Sequence, residues 1–450
     1  MPDRFRNHSI FNWLQPGMHI KRWLFLLVFG MAFLALGASY LLREVYLNFT
    51  FHEVFYYITL QMIPQWVRGI IFLFVSLSII GIAVWKLNTS LLYAFIRPGR
   101  GPSVVQSIYN KRVLDRGPRI AALGGGTGLS ILLRGLKAHT SNLTAIVTVA
   151  DDGGSTGRLR DEFGVLAPGD IRQCVAALAE AEPLMSRLFQ YRFDSGSGLE
   201  GHSFGNLFLV AMARVTGNFE EAVHETSRVL NVRGTILPST LQDITLSART
   251  HDGVLVKGEH NISENGTGVR DLYLNPPDAE AHPDAIRAIM DSELVVIGPG
   301  SLYTSVLPNL LVPDIQRALR TTEARIVFVT NVATEEGETD DFSADDHVQA
   351  IEAYIGVGVI DAVVANSNVG EGLPEGVNSM PVVLEDAENS IYENMRLCEA
   401  DVIALENRYC HDPSKLAAAI VDLYNAFQRV PAFVRNGRRG EAPNLATPTK

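Results

Sequence analysis

Five short β-branched runs, "RIAAL", "TAIVTVA", "ELVVIG", "RIVFVTN" and "DAVVAN", each lead into a glycine-rich or polar turn, mostly with helical periodicity beyond. A run that is apolar at successive positions has to be buried on both faces. Alternation of such runs with helices achieves this in a parallel sheet. The pattern predicts an α/β chain with a Rossmann-like, doubly wound, mostly parallel sheet covered by helices on both faces. The stretch "HDGVLVKGEHNIS" reads as a hairpin inserted between helical layers, because "HDG" and "KGEHN" supply turn residues around short apolar runs.

Ahead of this region the chain carries an apolar excess. Trp23 to Leu42 contains no charged residue and is about the length a helix needs to cross a ~30 Å hydrocarbon layer. Val67 to Leu87 is a second such run, with Arg68 and Lys86 near its ends where cationic side chains can snorkel. The first core is too long for a cleaved signal peptide. Both runs are apolar on every face, with Trp13, Trp23, Tyr40, Trp66 and Trp85 near their edges, which favours a transmembrane hairpin over a buried one.

Arg4, Arg6, Lys21 and Arg22 precede the first run, and Lys86, Arg97, Arg100, Lys111, Arg112 and Arg116 follow the second. Positive-inside bias then places both termini and the main domain on the cytoplasmic side of the membrane, with the aromatic stretch between the runs on the outer interface. The expected organisation is a cytoplasmic segment at 1–22, the hairpin at 23–87, a juxtamembrane linker at 88–118 broken by "RPGRGPS", the main domain at 119–435 and a flexible tail at 436–450.

Cys174, Cys398 and Cys410 have no motif spacing, so neither a disulfide framework nor a cysteine-rich metal site is supported. The net charge of −11 and the lack of a basic stripe with interleaved aromatics argue against nucleic acid as a partner.

In a doubly wound sheet, ligands bind beyond the carboxyl ends of the strands. The first place to look is "LGGGTGLS", where Gly124, Gly125, Gly126, Thr127 and Gly128 lead into a helix expected to begin near Leu129. Backbone N–H groups at a helix start can approach a phosphate closely there. Neither familiar fingerprint fits, since Leu129 stands where a third dinucleotide-motif glycine belongs and no G-K-[ST] follows.

The second is "VADDGGSTGRLR". Asp151 and Asp152 leave a strand into a loop with Gly153, Gly154 and Ser155, followed by Gly157, Arg158 and Arg160. Adjacent carboxylates there can accept from a ribose or hold a hydrated magnesium ion, and arginine suits phosphate. The structural alternative is that they cap the next helix and pair with Arg158 or Arg160. Asp170 reads as an N-cap in "PGDIRQC", with Arg172 in the first turn, and Gly201, His202, Ser203, Gly205 and Asn206 precede a very apolar helix. In "GPGSLYTSVLPNLLV", Gly298, Pro299, Gly300 and Ser301 make another strand-to-helix turn, and Asn331 ends a further strand. Two such turns meeting where the strand order reverses favour phosphate binding over a mere bend.

Taken together, "LGGGTGLS", "VADDGGSTGRLR", "PGDIRQC", "GHSFGNLFL", "GPGSLYTSVLPNLLV" and "HDPSKLAAAI" resemble the YvcK-like gluconeogenesis factors, a family related to the 2-phospho-L-lactate transferases (CofD). The resemblance runs from about Arg119 to about Leu423, with motif wording nearer the YvcK side. It implies a Rossmann-like domain that binds a nucleotide sugar, notably UDP-N-acetylglucosamine, in proteins that support growth on gluconeogenic carbon, cell shape and wall synthesis. On this chain the first glycine turn and the Asp151–Asp152 loop would surround the nucleotide and the Gly298–Ser301 turn a phosphate. The transferases use magnesium to move a phospholactyl group from an activated nucleotide diphosphate donor; if this chain catalyses, Asp151 and Asp152 are the implied catalytic and metal-holding residues. The amino-terminal hairpin departs from the usual soluble members.

The leading expectation is a membrane-tethered UDP-sugar-binding regulator that needs no cofactor to bind. A magnesium-dependent transferase follows, and a nicotinamide-dependent oxidoreductase is the weakest reading. A homodimer is a candidate assembly, and the sequence names no protein partner.

Overall fold

The computed structural model describes residues 20–48, 57, 60, 62–95, 113–180, 183–264, 268–370, 379–385 and 390–429. The chain forms two compact units, Met1–Arg112 and Val113–Lys450.

In the first unit, helix α1 spans Ile20–Asn48 and α2 spans Gln65–Phe95. Over Gln65–Ala83, α2 is long and apolar enough to cross a membrane, while the apolar described part of α1, Phe29–Leu41, is shorter than a span. Tyr40 and Trp66 are exposed. The helix α2 continues beyond Leu87 into the stretch expected as linker, because "NTSLLYAF" carries no breaker before "RPGRGPS". Trp13, the side chains of Trp23 and Trp85, most of the segment between the helices and the tail 436–450 lie outside the described residues.

The second unit is built on β1 (Ile120–Gly124), β2 (Leu143–Val147), β3 (Thr235–Pro238), β7 (Leu294–Ile297), β8 (Arg325–Val329), β9 (Ala362–Asn366) and β10 (Arg396–Ala400). They lie in the order β10-β9-β8-β7-β1-β2-β3, with every pairing parallel. The order reverses between β1 and β7, which makes that boundary the switch point of a doubly wound sheet. All five apolar runs are strands, and β1, β7 and β9 are buried at every residue.

The predicted hairpin is part of a separate antiparallel sheet, ordered β5-β4-β6, of β4 (Thr245–Thr250), β5 (Leu255–Lys257) and β6 (Val269–Asn275). Only "HDGV" is its turn, because "EHNISE" is helix α9, Glu259–Glu264. Helix α3 (Gly126–Leu136) follows β1 and α4 (Gly154–Phe163) follows β2, with α5 (Pro168–Leu178), α6 (Pro183–Gln190), α7 (Phe204–Thr216) and α8 (Phe219–Val229) after them, and α3 packs against α5 and the closing helix, Pro413–Arg429.

Candidate functional site

Helix α3 begins at Gly126, three residues earlier than expected, directly after β1. A Cβ on Gly128 would lie 2.5 Å from the Pro299 carbonyl oxygen and 2.6 Å from the Gly300 Cα, so the first glycine turn is in backbone contact with the turn after β7. The buried Asn309 ties them further, donating from Nδ2 to the carbonyls of Gly124 at 3.1 Å and Ser305 at 2.9 Å. The Gly300 N–H donates to Asn331 Oδ1 at 3.2 Å, and the Thr127 hydroxyl to Gln173 Oε1 at 3.3 Å. Gly126, Thr127, Gly128, Gly298, Gly300, Ser301 and Asn331 are thus gathered at the switch point. A short π-helical turn, Leu302–Val306, follows Ser301 where an ordinary helix start was expected.

Asp170 is not the N-cap. It is the third residue of α5, whose cap, Ala167, offers no side-chain bond. Its carboxylate lies beneath the first turn: a Cβ on Gly125 would come within 2.4 Å of Asp170 Oδ2, so only glycine leaves room for it. Burial, with the neighbouring Asp151 charge adding to it, pushes Asp170 up to about 7 against the Gly126 N–H and Arg172, which favour the carboxylate.

The two adjacent aspartates have different surroundings. Asp152 accepts from the backbone N–H groups of Glu259 at 3.2 Å and His260 at 2.9 Å, capping α9 rather than the next helix. Asp151 Oδ1 accepts from the Gly153 N–H at 2.9 Å, and Oδ2 faces the start of α5 at Gly169. Neither carboxylate pairs with Arg160, which donates to the carbonyls of Ala150 and Asp151 and to Asp243.

Glu259, Glu335 and Glu338, which the sequence reading did not single out, add to this acidic region. Burial, then Asp151, Asp170, Glu338 and Asp152, push Glu259 up to about 8. Glu338 accepts from the hydroxyls of Thr304 at 2.8 Å and Ser263 at 3.0 Å, and burial followed by Glu335 pushes it up to about 7. Glu335 accepts from the Ser301 hydroxyl at 2.7 Å and is also raised by burial. The run "TEEGET" after β8 was the available signal.

Oxygen donors of this kind suit a hard divalent cation. Asp151 and Glu259 fit that role, whereas Asp152 is spent on α9. Beside the acidic loop a cavity of about 1010 Å³ is lined by Asp152, Arg160, Phe163, Leu241, Asp243 and His260 among others, room for a nucleoside or a sugar.

The other predicted residues gather separately. Ser155, at the start of α4, accepts from Asn206 Nδ2 at 3.1 Å and shares a 2.9 Å hydrogen bond with His202 Nδ1. Ser203 caps α7, accepting from the Asn206 N–H. Arg158, with Gly153 and Gly154 just ahead of it, donates to the Glu200 carbonyl at 2.9 Å.

Residues 120–403 match the family 2-phospho-L-lactate transferase CofD. The gluconeogenesis factor of Bacillus subtilis is 45% identical over 314 residues, covering 68% of this chain and 98% of that protein. A Nostoc sp. relative is 42% identical over 430 residues, covering 93% of each chain, so that similarity reaches into the amino-terminal unit. The crystal structure of a UPF0052 family protein from Bacillus halodurans superposes with a TM-score of 0.64 at 43% identity, covering 68% of this chain and 99% of that one. Domain match and full-length similarity agree: this chain belongs to the gluconeogenesis factor family, the YvcK or UPF0052 proteins, built on a CofD-type domain.

Proposed function

We propose that the chain is a membrane-tethered regulator that binds a nucleotide sugar of the UDP-N-acetylglucosamine type at the switch point of its sheet. The supporting observation is the backbone contact of Gly128 with Pro299 and Gly300, which puts two strand-to-helix turns on one spot. The amino end of α3 and the Ser301 N–H can there share a pyrophosphate, the other N–H groups of the opposing turn being taken by Leu123 and Asn331 and Pro299 having none. The cavity past the acidic loop takes the nucleoside or sugar end, and Asp151, whose carboxylate is not used to cap α9, is the acid of that loop left to accept from ligand hydroxyls. The names of the relatives support a role in gluconeogenic carbon metabolism. The family resemblance extends that role to cell-envelope synthesis and cell shape.

Tethering rests on α2, whose Gln65–Ala83 stretch would cross the bilayer with α1 completing a hairpin, and the basic flanks place the main domain on the cytoplasmic side. Filter retention of radiolabelled UDP-N-acetylglucosamine by the full-length protein tests the ligand. Retention that excess unlabelled UDP-sugar competes and NAD does not is expected, and no retention refutes the reading.

One observation favours a second reading. Asp151, Asp170 and Glu259 crowd one another, and a magnesium ion on a nucleotide diphosphate would relieve that crowding, as a transferase of the CofD kind requires. Loss of nucleotide retention on chelation would support it.

A further inference from the structure

We propose that Arg158, Arg172 and Arg192, gathered with His202 at the amino ends of α4 and α7, form a second oxyanion site that takes the phosphate group of a phosphorylated small molecule. This site is distinct from the glycine turns after β1 and β7 and does not depend on the nucleotide reading.

The cluster is built by a chain of hydrogen bonds. Arg172 Nε donates to Asn206 Oδ1 at 2.9 Å, Asn206 Nδ2 donates to Ser155 Oγ at 3.1 Å, and Ser155 Oγ lies 2.9 Å from His202 Nδ1. In the tautomer where Ser155 donates to His202 Nδ1, the ring Nε2–H is left as a donor toward the arginines' side. Two further guanidinium groups are fastened to the loop that delivers His202: Arg158 donates to the Glu200 carbonyl at 2.9 Å and Arg192 to the Gly201 carbonyl at 2.5 Å.

None of these three arginines has a carboxylate within ion-pair distance among the described residues. They press on one another instead. Arg172 is lowered by burial and then by Arg192, and His202 by burial and then by Arg158, with Arg192 acting in the same sense. The acids facing the group are Asp151 and Asp170 beside Arg172 and Glu162 beside His202. An arriving dianion would meet three forked donors beside the amino end of α4, a combination that matches phosphate geometry, while the Phe204 and Asn206 N–H groups of α7 are taken by Tyr191 and Ser203.

The cluster does not merge with the glycine turn. Asp170 and Arg172 are two apart on α5 and so point to different faces of that helix. Asp170 lies under Gly125, leaving Arg172 on the side of Asn206. The protein therefore offers a phosphate seat on each side of the Asp151–Asp170 pair.

The test titrates full-length protein with inorganic phosphate at constant ionic strength, following heat by calorimetry. The variants are Arg158→Gln and Arg192→Gln, whose exposed side chains leave the core untouched, with Arg317→Gln on the opposite part of the sheet as a control for lost charge. The expected result is saturable binding by wild type, weakened roughly tenfold in each of the first two variants and unchanged in the control. Equal binding by wild type and both cluster variants would overturn the proposal, as would absence of saturable binding by wild type.

Discussion

Gly128 and Pro299 lie so close that a Cβ on the first would sit 2.5 Å from the carbonyl oxygen of the second. This approach joins the two halves of the sheet at the point where their order reverses. A side chain at position 128 would push the turns apart even if each kept its own conformation.

Gly128→Ala should therefore cost roughly 1–3 kcal/mol of stability by overpacking and should weaken nucleotide binding more than stability alone explains. Denaturation and ligand titration of the same variant check this. An alanine variant that binds normally would show that the contact is only architectural.

The strands most visible in the sequence are those buried on both faces, because nothing polar interrupts "IAALG" or "AVVAN". By contrast, β4 alternates buried and half-buried positions, β3 has only four residues and ends in Pro238, and β10 lies at the sheet edge with polar residues along it. Their patterns do not separate from loops. The glycine turns were legible because a strand end followed by glycines has few other uses. The depth of Asp170 was not, since it depends on the missing side chain of Gly125, a neighbour only in the folded chain.

That depth has a pH signature. Asp170 is held at about 7 in the folded protein against 3.8 for the free side chain. The folded state thus binds the extra proton between those values, and the stability this group contributes is complete below the lower one and lost as pH rises through the upper one. Asp170→Asn keeps an acceptor for the Gly126 N–H but cannot ionise. Its stability relative to wild type should improve by roughly 3 kcal/mol between pH 5 and pH 8. Paired urea titrations at the two pH values measure it, and a constant difference would mean Asp170 is ionised throughout.

The neighbouring aspartates should separate on mutation. Asp152→Asn replaces one of the two oxygens that accept from the Glu259 and His260 N–H groups with an amide nitrogen and should cost about 1 kcal/mol of stability while leaving UDP-sugar affinity within a few fold. Asp151→Asn should instead lower affinity by about 1–3 kcal/mol with little loss of stability. The reverse pattern in the two binding curves would exchange their roles.

Removal of residues 1–112 should release the protein from membranes, because among the described residues α2 is the apolar helix long enough to span them. Alkaline carbonate extraction of the full-length chain should leave it in the pellet. Recovery of the full-length chain in the supernatant would rule out tethering.

The most direct test of the central claim is thermal stabilisation of the full-length protein by UDP-N-acetylglucosamine, measured with and without magnesium and compared with GDP. Ligand at 100 times its Kd should add about 2.7 kcal/mol, without any need for the metal. Absence of a shift with UDP-N-acetylglucosamine, or a shift confined to GDP with magnesium, would contradict the account.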